Sequence, residues 1–282
     1  MSKSSTPIMA EKIPLRRVII RWTLIAIILL WLILPMIPLL IWSFAFRWPF
    51  PNLWPESWSM QAWQHAFSDS SGVLDAIWDS VYIALIVTLL SVIISIPAGR
   101  GLGMYNFRGK RVVEFLLLAP TIVPPLAVIL GVLVLFIRYG LADTYLGVIL
   151  VQLSPIMPYV VLVMAGVFSN YNPEFEEQAR SLGAGPIRTF WYVTLPAIFP
   201  GMMVAGLFAF LISWSQYITV LLIGGGFIKT LPLVLFTLAG TNDTPLTAAV
   251  SIIFVLPAVA ILLLSSRYVT GEDAAIGGIG RV

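Results

Sequence analysis

Six stretches of at least 20 residues contain no Asp, Glu, Lys or Arg: 22–46, 80–99, 115–137, 144–173, 189–228 and 244–266. About 20 apolar helical residues cross the roughly 30 Å hydrocarbon core of a bilayer. A segment in hydrocarbon must also satisfy its own backbone hydrogen bonds, which makes the helix its natural form. The pattern predicts an all-α, polytopic membrane protein with six transmembrane helices. Composition agrees: only 10% of residues are charged, against about 25% in an average soluble domain, and mean hydropathy is +0.97.

The fifth stretch is 40 residues long, enough for two spans, and the charges decide against that. With six spans and both termini cytoplasmic, Lys3, Lys12, Arg16, Arg17, Arg21, Arg100, Arg108, Lys110, Arg111, Arg180, Arg188, Arg267 and Arg281 face the cytoplasm. Only Arg47, Arg138 and Lys229 fall outside, as the positive-inside rule requires. Residues 1–21 then form a cytoplasmic lead, whose residues 13–20 can lie on the membrane surface. Residues 22–267 form one transmembrane domain and 268–282 a cytoplasmic tail. The net charge of +3 is taken up by orientation against membrane lipid, and no nucleic-acid partner is expected.

Two loops carry side chains of interest. The external loop 47–75 holds Trp48, Trp54, Trp58 and Trp63, either an interfacial aromatic belt or a docking surface for an external partner. The cytoplasmic loop Arg100 to Arg111, RGLGMYNFRGKR, reads as a cationic anchor against anionic lipid. Prolines 35, 38, 120, 124, 125, 155, 158 and 200 sit within spans, so their broken backbone bonds need buried partners or a water-lined cavity.

The most organised polar segment is residues 176–196, EEQARSLGAGPIRTFWYVTLP, between spans four and five. Asn172 is a favoured N-cap and Pro173 fits a first helical turn, which predicts a short helix to Leu182. Phe175, Ala179 and Leu182 make a narrow apolar stripe, and Glu176 with Arg180 makes an i,i+4 ion pair. Gly183 suits a left-handed helix stop, Pro186 opens a second short helix, and Thr194-Leu195-Pro196 ends that piece and begins span five.

Glu177, Ala179, Gly183, Leu195 and Pro196 resemble the EAA signature of ATP-binding-cassette (ABC) importer permeases: E-A-A, three residues, G, nine residues, I, one residue, L-P. The spacing is complete, with Gln178 in place of the second alanine and Val193 in place of isoleucine. Gln178 is the larger change and bears on the fit to a partner. The resemblance runs over 79–267 and is similar to the polyamine branch at 105–111, 213–217 and 230–238. It implies that Glu176, Glu177, Gln178, Ala179, Arg180, Leu182 and Gly183 form a coupling helix and turn in a groove of a cytoplasmic ATPase, joined to span five by Leu195 and Pro196. It further implies a bacterial cytoplasmic-membrane assembly with a second permease subunit, two ATPase subunits and an extracytoplasmic solute-binding protein. ATP and magnesium would belong to the ATPase, with no cofactor on this chain and no covalent catalysis by it.

The remaining chemistry is sparse. Residues 224–230, GGGFIKT, place Ile228 where a phosphate-binding loop needs glycine before the lysine. The chain has no cysteine and a single histidine, His65, in the external loop, so no thiolate or histidine-based metal site is expected. No carboxylate lies deep in a span, which counts against a proton- or sodium-driven secondary transporter, and a channel would leave the polar segment without a purpose. Ser213, Trp214, Ser215, Gln216 and Tyr217 gather hydrogen-bonding groups at the end of span five. They either line a solute pathway, with Trp214 or Tyr217 offering a ring face to a cation, or hydrogen-bond helix to helix.

Overall fold

The computed structural model describes residues 15–49, 51–241 and 243–269; most of the expected N-terminal lead and the C-terminal tail beyond residue 269 lie outside the described residues. Helix α1 (Leu15–Ile33) and α2 (Met36–Phe44) together provide one apolar span, Ile19–Phe44. A two-stranded antiparallel hairpin, β1 (Ala45–Arg47) and β2 (Ser57–Trp58), and the short α3 (Gln61–Ala66) follow. Here the four loop tryptophans divide. Trp48 packs on Trp42 and Trp63 on Phe44 and Phe67, while Trp54 and Trp58 stay exposed.

The bundle is built around α4 (Val73–Met104), α7 (Tyr145–Ser169) and α10 (Leu195–Trp214), each packed against the other two. Helix α4 presents Ser80, Ala84, Ser91, Ser95 and Gly99 as a buried ridge of small residues, the composition that lets membrane helices approach closely. The approach is tightest at Gly99 and Gly103. A Cβ at Gly99 would lie 2.6 Å from the Met164 Cβ, and one at Gly103 2.5 Å from the Ala165 carbonyl oxygen. Phe168, Ile156, Met164, Val148 and Ile198 fill the core beside this contact. Helix α13 (Thr244–Val269) closes the other side against α2, α3 and α10.

Among the described residues five helices are long and apolar enough to cross a membrane, and a bent pair makes a sixth span where its two helices count as one. That pair corrects the reading of 115–137 as one column. Helices α5 (Lys110–Ile122) and α6 (Pro125–Arg138) meet at 97°. Pro124 and Pro125 supply no N–H, and each disfavours helical geometry in the residue before it; Val123 and Pro124 take ψ of 137° and 125°. The single prolines at 97, 155, 158, 200 and 257 all stay inside their helices.

The long fifth stretch is also reapportioned. Helix α10 stops at Trp214, and α11 (Ile218–Ile223) is separate. After a turn with positive φ at Gly225 and Gly226, α12 (Leu231–Ala239) folds back so that Leu231 and Leu233 are buried. The Leu231 N–H donates to Ser80 Oγ at 2.7 Å, pinning α12 to α4.

Gly99→Leu should therefore destabilise the α4–α7 contact by about 1–3 kcal/mol through overpacking, read as a lowered Tm in mild detergent. Gly101→Leu, on the same helix with no atom within 4 Å of an added Cβ, should leave the Tm nearly unchanged.

Candidate functional site

The polar segment forms as its local signals demand. Asn172 Oδ1 accepts a hydrogen bond from the Glu174 N–H at 3.0 Å, and α8 (Glu174–Ser181) follows. Its stop is a Schellman motif: the Gly183 N–H donates to the Arg180 carbonyl, the Ala184 N–H to the Ala179 carbonyl, and Gly183 has φ +86°.

The second piece differs from expectation. Pro186 does open α9 (Pro186–Thr189), but nothing ends at Thr194-Leu195-Pro196. Residues 190–194 form a π-helical turn that runs straight into α10, making Pro186–Trp214 one 29-residue span. The wide turn explains this. The Leu195 N–H reaches back five residues to the Phe190 carbonyl, and a turn opened in this way accommodates Pro196, which has no N–H and would clash in a regular α turn. Residues 186–194 are thus the base of α10.

Helix α8 is turned opposite to a simple amphipathic helix. Its one buried residue is Glu176, 4% exposed, while Phe175 and Leu182 face outward, Leu182 at 89%. Ala179 is half-buried, and Glu177, Gln178 and Arg180 are exposed. Glu176 stays inward because its partners are there. Arg100 donates to it bidentately, Nη1 to Oε1 at 2.7 Å and Nη2 to Oε2 at 2.8 Å. Thr194 Oγ1 donates at 2.8 Å, and Arg180 supplies the expected i,i+4 pair at 3.3 Å. The Arg100 guanidinium holds the Glu176 carboxyl below the usual carboxylate range, against burial, which pushes it up; Thr194 and Arg180 add to the lowering. Arg100 also lies 6.0 Å from the Phe168 ring centroid. Beside this cluster the Tyr171 hydroxyl is buried without a hydrogen-bond partner.

Arg100 is the residue that sequence reasoning placed wrongly. It is in the last turns of α4 rather than in a lipid-facing loop. The usable signal is length: 32 helical residues rise about 48 Å, well beyond the hydrocarbon, so the end of α4 reaches the level of α8.

The five residues at the end of α10 separate into two groups. Ser213 donates to Gln152 Oε1 on α7 at 2.5 Å, and both are buried. Trp214 donates to the Phe254 carbonyl and stacks on Phe210 and on Phe254, which leaves its ring no open face for a cation. Ser215, Gln216 and Tyr217 instead line a cavity of about 320 Å³ with Ser154, Thr219, prolines 120 and 125 on either side of the α5–α6 bend, and Pro155 of α7. Tyr217 has one face on Phe236, with centroids 4.1 Å apart. No Asp, Glu, Lys, Arg or His lines this cavity. Among the described residues no cluster of three metal-ligating side chains occurs. His65 is exposed, on α3.

Comparison with known proteins places these features. Residues 93–270, which include α8, match the family described as binding-protein-dependent transport system inner membrane component. The chain is 28% identical over 235 residues to the molybdenum transport system permease protein ModB of Mycobacterium tuberculosis, covering 78% of this chain and 86% of that one. It is 25% identical over 209 residues to the spermidine/putrescine transport system permease protein PotC of Haemophilus influenzae, covering 74% and 80%. Its fold superposes with a TM-score of 0.70, at 18% identity and over 89% of this chain and 95% of the other, on a chain of a bacterial ABC transporter that imports alginate. With the family match covering more than half of the sequence and the six-span helical fold in agreement, this chain belongs to the inner-membrane permeases of binding-protein-dependent ABC importers.

Proposed function

We propose that this permease is driven by a separate ATPase that docks on α8 and the base of α10, and that it carries a small organic solute into the cytoplasm by alternating access. The observation that carries this reading is the inverted polarity of α8. Its one buried residue, Glu176, is turned inward onto Arg100 and Thr194, while Phe175, Leu182, Ile187, Trp191 and Tyr192 stand exposed beside Glu177 and Gln178. Such an apolar surface with a polar rim is what a protein partner covers. In this reading both termini face the cytoplasm of a bacterium, a second permease completes the pathway, and an extracytoplasmic binding protein delivers solute at the hairpin end. Nucleotide and magnesium reside on the ATPase.

Of the five residues at the end of α10, Ser215, Gln216 and Tyr217 would touch solute, since they line an uncharged, mainly apolar cavity that also offers the hydroxyls of Ser154 and Thr219; Ser213 and Trp214 would hold the helices in register. A polyamine is the favoured solute by resemblance. The named relatives include both a polyamine and a molybdenum permease, and a sugar is the second reading, favoured by a cavity that offers hydrogen bonds and no carboxylate. An ATP-independent transporter or channel would need none of the exposed apolar surface of α8.

The direct test is affinity purification of the tagged chain in mild detergent with mass spectrometry of what accompanies it. An ATPase subunit and a second six-span permease are expected, and recovery of the chain alone overturns the reading. Gly183→Val should cost about 1–2 kcal/mol of left-handed strain, with no steric clash because no atom lies within 4 Å of the added Cβ. It should cut solute uptake several-fold while membrane insertion persists, and Gly183→Asn, which tolerates this conformation, should retain most uptake. The Glu176 carboxyl also has a pH signature. Its depressed folded-state value means that its stabilisation is complete above the ordinary carboxylate range and is lost as pH falls through the folded value. A spin label at Gln178 should keep its mobility from pH 7 to pH 5 and loosen only below about pH 4, and Glu176→Gln should abolish that transition.

A further inference from the structure

Helix α8 is joined by the chain to α7 through residues 170–173 and to α10 through residues 182–194. Helix α4 packs along both of these helices, and its sequence connections lie far from α8. Helices α4 and α8 are joined by the Arg100–Glu176 pair, two hydrogen bonds of 2.7 and 2.8 Å across 76 residues of sequence. The arginine fork and the carboxylate fix direction as well as distance, so a displacement of α8 is passed on along a defined axis. The carboxylate is nearly buried, with 6% of its side chain exposed, and Arg100 keeps 28%. Separating the two would strand a charge in a poorly solvated place.

Resting on the coupling reading above, we propose that Arg100 is a positioning residue that makes α4 a third helix driven by the ATPase, through its ion pair with Glu176. Glu176 is then the common node. Thr194 ties it to the base of α10, Arg100 ties it to α4, and Arg100 lies over Phe168 of α7. A push on α8 reaches all three central helices at one point.

The chain has no cysteine, so labels can be placed at will. Ile93→Cys on the exposed side of α4 and Leu264→Cys on the exposed side of α13 carry a spin pair in the assembly purified with its ATPase and reconstituted in lipid. Addition of ATP should shift the 93–264 distance in the otherwise wild-type chain. Arg100→Gln should lose at least half of that shift while retaining the ATPase and an unchanged distance without nucleotide. Arg100→Lys, which keeps the charge without the fork, should be intermediate, and Arg100→Glu with Glu176→Arg should recover the shift if either single variant fails to assemble. A full shift in Arg100→Gln, or no shift in the wild-type chain with ATPase bound, overturns the proposal and leaves the coupling reading standing. Absence of an ATPase from the purified wild-type chain overturns both.

Discussion

The carboxylate of Glu176 is the constraint on which the organisation of this end of the permease depends. A charge that is 4% exposed persists only where it is paired and hydrogen-bonded, and the partners that satisfy it come from α4, α8 and the base of α10. Removing Arg100 costs roughly 3 kcal/mol, the low end for a buried pair because its guanidinium remains partly solvated. The exposed face of α8 follows from the same fact. With Glu176 turned inward, the helix shows Phe175 and, just past its end, Leu182 outward beside Glu177 and Arg180.

Close packing above the node gives it rigid material to act on. Glycines at 99 and 103 bring α4 against α7 without intervening side chains, and Ser213 with Gln152 fixes the register of α10 against α7 in the apolar interior. Such contacts do not slide by fractions of a residue, because interiors packed this densely have discrete arrangements rather than a continuum of them. The α5–α6 bend lies beside this core, and prolines 120, 125 and 155 are among the residues that line the cavity of Ser215, Gln216 and Tyr217. A close-packed three-helix core thus stands beside a jointed pair.

What the sequence made legible was local. Asn172, Gly183 and the Glu176–Arg180 spacing declare themselves within one or two helical turns, and the structure places each as read. The existence of the spans was equally plain, because hydrocarbon leaves a chain few options. The Arg100–Glu176 pair was not visible, since no pattern along the chain joins residues 76 apart, and a basic residue at the end of a span already had a sufficient explanation in membrane orientation. The sharp bend at Val123–Pro124 and the uninterrupted passage through Pro196 show a further limit. Both are prolines in apolar runs, and their opposite outcomes depend on whether a neighbouring turn can widen to receive the ring, which residue type alone does not state. The end of α10 was legible as polar, but the division of Ser213 and Trp214 from Ser215, Gln216 and Tyr217 depends on which neighbour each meets across the bundle.

The π turn at residues 190–194 has a consequence beyond admitting a proline. It contains one residue more than an α turn would need, and one residue corresponds to about 100° of rotation about a helix axis. The turn therefore acts as a phase shifter between two halves of one continuous rod. It sets the azimuth at which Ile187 and Trp191 emerge at the foot, relative to the azimuth at which Ser213 enters the bundle at the top. Relaxation of this turn to α geometry with no residue removed would leave the helix continuous, yet would swing the foot by roughly a quarter of a circle. The azimuth of the apolar foot is in this sense written as the number of residues the turn contains.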